Sequence, residues 1–569
     1  MWSTLSKPKH ELAGLAGDRP LPELDHVKLD ELRLDNHLEN RTLLALYFDV
    51  CIATYRVLHR PSTEHWLDII ERNFEAKQPI WQDLGHGRAA IVLAALAIAT
   101  LHSEKSKERN KSAEDGNDEA RALNRSDQLF GASSWLSSAE VTDCPTLEMA
   151  QAGILQVLYL LQTSRFNRAW YVFGNCVPVI WMIGLHRRDS SKRIQTSKLD
   201  YIQKQCRQRT FWTAYTLDNY LRIIFGRPRH FHDEDIDQQF PDRINDDDMT
   251  ANLPEDFLHP RPESDIDGLI FHAKYLLVSP FTSFMIPSTN YLSFRIAQII
   301  GCISRQVYAI SKISDEDRAV AAYRLTLRIK EWRDSLPHHL GSVSPSILVP
   351  RFRRQAVILQ LAYHHAIMHA SRPFLHGSSI EPAASMHVEE CLAAAHGALE
   401  IANGMACEGP MFNAFWWTHY VVYCALVVVY MFEIRRKRHG PPAWETTTLD
   451  LEQAERCRVH LSRATATNSP SRRYGVILEE LRAAATSDHT RDFGGSSSHL
   501  ELGHLAGAEE EVATGDDAAM DEALPPTLVE AASQSVWTDP RLWDSWETTD
   551  WLELDSSVRE PSEDALTCI

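Results

Sequence analysis

Apolar residues recur three and four positions apart through most of the chain, a spacing that gathers them on one side of a 3.6-residue helix. The segments LDIIERNF (67–74), AAIVLAALAIATLH (89–102), TLEMAQAGILQVLYLLQTS (146–164), YLSFRIAQIIGCISRQVYAI (291–310) and RRQAVILQLAYHHAIMHA (353–370) all show it. No stretch sustains the alternation of a half-buried strand, so the pattern predicts an all-α fold without a sheet. In FWTAYTLDNYLRIIF (211–225), Leu217, Tyr220, Leu221 and Ile224 line one face and Trp212, Tyr215 and Ile223 another. A helix apolar on most of its circumference is a buried one. Gly226 can adopt the left-handed conformation that ends a helix, and Pro228 cannot continue one. Asp218 is the odd residue in this helix, a carboxylate among apolar neighbours. Its predicted partner is Arg222 at i+4 or an arginine from another segment.

Polar breaks separate the helices. SEKSKERNKSAEDGNDEARALNRSD (103–127) is charged and poor in apolar residues, and reads as a mobile surface insert. Residues 241–267, acidic and punctuated by Pro, read as a second long connection. After LEELRAAA (478–485) the composition turns to Gly, Ser, Ala and acids, too few bulky apolar groups to offset the entropy of ordering. The expected organisation is therefore a polar segment at 1–40, a helical body at 41–486, a disordered linker at 487–535, an acidic-aromatic segment at 536–555 and a tail at 556–569.

Charge changes this picture in one place. The net charge of −19 is concentrated at the C-terminal end, where Glu509–Ile569 holds 17 acidic residues against Arg541 and Arg559. The body is nearly balanced. The ten cysteines are scattered with no C-x-x-C pair, so they read as buried thiols of a reducing compartment rather than as zinc ligands. MWSTLSKPKH lacks the apolar core of a secretory signal. MFNAFWWTHYVVYCALVVVYMF (411–432) is interrupted by Asn413, Thr418 and His419, and its uninterrupted part, Tyr420–Phe432, is shorter than the roughly 20 apolar residues a span needs. It reads as a core helix, and no membrane contact is expected.

Catalytic templates do not fit. The chain has no G-x-S-x-G elbow, no phosphate loop and no H-E-x-x-H helix. His365 and His369 lie one turn apart without a local acid and read as core histidines. The cluster Asp233, Asp235 and Asp237 suggests a terpene-cyclase-like enzyme binding diphosphate through Mg²⁺, which needs a second carboxylate cluster on another helix end. The only nearby source, DDDMTANLPE (246–255), puts Pro254 where an acid is required. No enzymatic activity is expected.

Several of these segments together carry a resemblance. Arg209, Phe211, Trp212, Tyr215, Leu217, Asp218, Tyr220 and Leu221, then Gly226, Arg227 and Pro228, then Asp233, Asp235, Ile236, Asp237 and Pro241 form one ordered pattern. It resembles the most diagnostic stretch of the middle homology region of fungal Zn2Cys6 transcription factors, the fungal-specific transcription factor domain. Upstream, AWYVFGNCVPVIWMIGLHR resembles another helix of that family through Trp170, Gly174, Gly184, Leu185, His186 and Arg187, although Pro178 departs from it and predicts a kink. LAYHHAIMHASRPFL (361–375) and FWWTHYVVYCALVV resemble two further helices. The resemblance covers roughly residues 40–435 and implies an all-α regulatory domain acting in the nucleus.

The family's zinc cluster needs six clustered cysteines, and none precedes Cys51 here. No cofactor is therefore expected in this chain and DNA contact only indirectly; the chain reads as a family member that lost the finger, the product of a truncated gene model, or the partner of a separate DNA-binding subunit. SVWTDPRLWDSWETTDWLELDSS interleaves Trp537, Trp543, Trp546 and Trp551 with acids; Trp543, Trp546, Trp551 and Leu554 would share a broad arc if helical. This predicts an activation segment that engages the transcription machinery or a coactivator, the alternative being a tail that folds back onto its own body. Arg435, Arg436, Lys437 and Arg438 form a candidate nuclear-import address, or a set of cations placed against a helix C-terminus. The competing reading is a ligand-sensing or inhibitory module that takes a small-molecule effector and does not touch DNA.

Overall fold

The run Ala89–Leu101 has no polar face except Thr100, and in the computed structural model it is buried along its whole length. It forms the middle of helix α3 (His86–Lys105), around which the N-terminal half of the protein assembles. The structure describes residues 34, 36–107, 115–139, 145–188, 200–250, 263–273, 296–309, 313–375, 382–439, 451–465 and 472–486. Among these are sixteen α-helices and no strand.

Helices α1 (His37–Leu46) and α2 (Arg60–Glu75) pack on α3, which pairs with α4 (Asp115–Ala139) and α5 (Leu147–Gln162). Helix α5 pairs with α6 (Phe166–Met182), and α7 (Tyr201–Phe225) follows. Against α7 lie the short α8 (Asp267–Ala273) and α9 (Ile296–Gln306). A second group comprises α10 (Asp315–Asp334), the single turn α11 (His338–Gly341), α12 (Pro350–Ser371), α13 (Pro382–Glu408), α14 (Trp416–His439), α15 (Leu451–Thr465) and α16 (Arg472–Thr486). Helices α12 to α16 pack on one another in sequence, and one continuous apolar core joins both groups.

Local chemistry explains several helix ends. Thr146, Asp200 and Ser314 cap α5, α7 and α10 by accepting the backbone N–H of Met149, Gln203 and Asp317. Gly226 ends α7 at φ 64°, in the left-handed region. Pro178 lies inside α6 without ending it.

Two helices, His86–Lys105 and Trp416–Lys437, are long and apolar enough to cross a membrane by length and composition, and both are largely buried in the bundle. From Tyr420 to Phe432 every residue of α14 is buried.

The insert at 103–127 is the clearest departure from the sequence reading. Residues 103–105 complete α3, and 115–127 form the first half of α4. Asp127 is buried rather than solvated. Arg165 donates to both its oxygens at 2.7 Å, and the Tyr159 hydroxyl donates to it at 2.7 Å. The composition of this stretch argues for a loop only while its charges lack partners, and Arg165, 38 residues away, supplies one. The described ends of the connection, 241–250 and 263–267, are likewise pinned. Arg243 holds the buried Asp267 through both carboxylate oxygens at 2.6 and 2.7 Å, and Arg351 reaches Asp265 at 2.8 Å.

Candidate functional site

The residues of the family-like pattern converge on one joint, where α7 ends and the chain turns back along it. Asp218 is fully buried in the middle of α7, and neither predicted partner reaches it. Arg222 donates instead to the Ser304 hydroxyl at 2.6 Å. Asp218 accepts the backbone N–H of His230 at 2.9 Å and of Phe231 at 2.9 Å, together with the His230 ring Nδ1 at 2.9 Å. Gly226, Arg227 and Pro228 reverse the chain, and the buried carboxylate fastens it after the reversal. Arg227 lies 5.5 Å from the Trp170 ring and also donates to Asn167, which ties the turn to α6. Pro228 is exposed.

The acidic turn that follows is held from three sides. The Tyr215 hydroxyl donates to Asp233 at 2.5 Å, and Arg229 and Arg305 lie 3.3 and 3.7 Å from its other oxygen. Burial pushes the Asp233 carboxyl up, but Tyr215 and the two guanidinium groups outweigh it and hold it below the ordinary range. Asp237 accepts the backbone N–H of Arg188 at 2.8 Å and pairs with Arg187 at 3.3 Å. Asp237 and Gln238 donate their own N–H groups to the carbonyl of His186. Arg187 also approaches the carbonyl of Asp235, whose side chain is exposed. Gly184, at φ 70°, makes the turn that presents His186 and Arg187 to this partner. Burial and the neighbouring Arg187 charge lower the His186 pKa. Phe211 packs edge-on to Phe231, while Trp212 stacks on Phe240 at 4.2 Å and donates to the carbonyl of Gln239 at 2.9 Å.

Arg209 closes the joint from below. It is buried, donates to Asp246 at 2.6 Å and reaches the carbonyl of Leu58 at 3.3 Å. Asp246 also accepts the backbone N–H of Arg60 at 2.9 Å. Burial pushes the Asp246 carboxyl up, and the Arg209 and Arg56 charges more than reverse this. The terpene-cyclase-like arrangement is thus filled from within: Asp233, Asp237 and Asp246 are all engaged by arginine or backbone donors of the same chain. A separate group, His37, Asp68 and Glu71, brings possible ligand atoms within 4.8 Å of one another. Arg41 binds that Asp68, and Asn40 donates to Glu71 at 2.8 Å, so both carboxylates already have partners.

Other candidate residues lie elsewhere. Arg435 donates to the carbonyl of Leu375 at 2.7 Å, and Arg436 forks onto Glu433 at 2.7 and 2.8 Å. Lys437 is exposed near the end of α14. The side chain of Arg438, together with Trp537, Trp543, Trp546, Trp551 and Leu554, lies outside the described residues. His365 and His369 are buried with their rings 4.4 Å apart, and burial draws His365 down to about 3. A groove of about 550 Å³ runs between α10, α12 and α13, lined in part by Arg333, Arg353, Tyr363, His364, Glu400 and Glu408. Nothing in the hydrophobic pattern announced it, because its lining residues come from opposite ends of three helices.

The family profile described as "Fungal specific transcription factor domain" matches residues 44–334, just over half of the chain. The chain belongs to that family. Its joint at Asp218, Gly226 and Asp233 falls within the matched region. Among curated proteins, the chain is 24% identical to Activator of stress genes 1 of Saccharomyces cerevisiae over 386 residues, covering 66% of this chain and 36% of that protein. It is 23% identical to Activator of stress genes protein 1 of Candida albicans over 321 residues, covering 52% of this chain and 30% of that one. Against Transcriptional activator protein acu-15 of Neurospora crassa the identity is 26% over 252 residues, or 42% and 23% of the two chains. The matched part therefore spans about a third or less of the relatives' lengths.

Proposed function

We propose that this chain acts as a transcription regulator in the fungal nucleus, with its helical body as the regulatory domain and its acidic-aromatic tail as the activating segment. The observation that carries this reading is the family match over residues 44–334, with relatives named as transcriptional activators. The engagement of Asp233, Asp237 and Asp246 by partners in the same chain supports a structural role for the signature and a protein without catalytic turnover. Coactivator contact is assigned to Trp543, Trp546 and Trp551. On this reading no metal or other cofactor is needed by this chain.

Tethering the full chain to a reporter promoter through a heterologous DNA-binding module tests the proposal. The wild-type chain should activate, residues 530–560 alone should do so in part, and replacing Trp543, Trp546 and Trp551 by Ala should remove the signal. Activation that is undiminished in the triple variant would overturn the role given to the tail.

A further inference from the structure

The segment PRFRRQ opens α12 with three arginines, and two of them find carboxylates. Arg351 reaches Asp265 at 2.8 Å, and Arg353 lies 3.6 Å from Glu408. Arg354 finds none. Its Nε and Nη1 atoms are buried without a hydrogen bond, and its guanidinium carbon sits 3.3 Å from the centre of the Phe415 ring. The titratable groups that face it are Cys51, His102 and His419. Burial pushes the thiol up. Burial also brings both imidazoles down to about 3, with the charges of Arg354 and Lys105 adding to the effect, so all three groups are neutral near pH 7.

No carboxylate among the described residues acts on Arg354. Burial draws its guanidinium down to about 9, opposed only by Cys51, and it is still charged near neutrality. Arg354 nevertheless keeps some accessible surface, as do Cys51 and Ile358, the latter one turn further along the same face of α12. A buried cation without a counter-ion is a costly arrangement, and the cost is relieved when an anion arrives.

We infer that Arg354 anchors a binding site for a monoanionic carboxylic acid, whose apolar body lies against the partly accessible Ile358. The guanidinium fork matches the two oxygens of a carboxylate. No second cation among the described residues acts on Arg354 itself, as a dianion such as phosphate would call for. This assignment concerns binding alone and does not depend on the regulatory reading of the chain.

The test is thermal melting and calorimetric titration of the full chain with octanoate and benzoate, alongside octanamide, benzamide and inorganic phosphate. At least one acid should raise Tm while its amide and phosphate do not. Arg354→Met should bind that acid about tenfold more weakly or worse, the usual effect of losing a charge-assisted hydrogen bond. Its ligand-free Tm should be equal or higher, since the change removes an uncompensated charge. Arg354→Lys keeps the charge without the fork and should bind with intermediate affinity, which decides the matter if the Met variant does not fold. The assignment is overturned if neither acid raises Tm, if phosphate does so alone, or if the acids bind Arg354→Met as tightly as wild type. It is also overturned if Arg354→Met folds but melts lower, as expected of an arginine with a structural role.

Discussion

Replacing Asp218 by Ala probes the fastening of the joint. The carboxylate is fully buried and accepts from two backbone N–H groups and one imidazole. Truncation removes the acceptor and leaves the His230 and Phe231 N–H groups facing a small cavity at the wall of α7. A buried donor left unmet costs about 1–3 kcal/mol, so two of them set an expected loss of about 2–5 kcal/mol. That is a large part of the 5–15 kcal/mol or so that holds a typical domain together.

The assay is the denaturant midpoint of the full chain for wild type, Asp218→Ala, His230→Ala and the double variant. His230→Ala removes the ring's bond to Asp218 and its packing on Trp170 and Phe173 but spares the backbone bonds, and should cost about 1–2 kcal/mol. In the double variant the costs should not add, since the imidazole has already lost its acceptor. A loss below about 1 kcal/mol for Asp218→Ala would refute the reasoning. Strict additivity with His230→Ala would do the same.

Three further outcomes are expected. Arg165→Met leaves Asp127 buried without a cation, with only the Tyr159 hydroxyl donating to it, and should cost about 3–5 kcal/mol, while Arg165→Met with Asp127→Leu should recover much of it; urea unfolding checks both. Asp246 and Asp233 have carboxyls held below the ordinary range, so the stability they add is present above about pH 4 and is lost as pH falls through their folded values. Asp246→Asn should therefore flatten the acid limb of a plot of midpoint against pH. Gly301→Ala places a methyl 2.4 Å from the Asn219 side-chain oxygen, and Asn219 cannot swing aside without losing its 2.9 Å bond to the Tyr215 carbonyl. A loss of about 1–3 kcal/mol by thermal melting is expected there.

Much of the bundle was legible because it rests on local rules. The three-and-four spacing placed α3, α5, α7 and α12, and Gly226 with Pro228 placed the end of α7. What escaped was carried by single partners far apart in sequence. The first half of α4 looked like a loop because its acids and bases seemed solvated, and nothing near Asp127 pointed to Arg165. The sequence around Asp218 suggests an ion pair because side-chain partners leave a trace in the sequence, whereas a carboxylate that accepts backbone N–H groups leaves none. Arg354 was equally hidden: Arg351, Arg353 and Arg354 look alike in PRFRRQ, and only the fold separates the two that meet carboxylates from the one that does not.

The same contrast explains why the acidic turn invites an enzyme reading and resists it in three dimensions. Three aspartates within five residues would repel one another if all faced one ion-sized space. Here Asp233 turns toward Tyr215, Arg229 and Arg305, Asp237 toward Arg187 and the Arg188 N–H, and Asp235 toward solvent. Each of three acids closes a different connection: Asp233 to α9, the exposed Asp237 to the turn after α6, and the buried Asp246 to α2 and α7. Such a joint is most sensitive to loss of one partner at the buried Arg209–Asp246 pair, where water cannot reach the remaining charge, and least so at the half-exposed Arg187–Asp237 pair. A diphosphate or Mg²⁺ would have to break those pairs to bind. The arrangement therefore sets the geometry between helices, and any chemistry the protein performs with a ligand has to be sought at groups whose partners are missing.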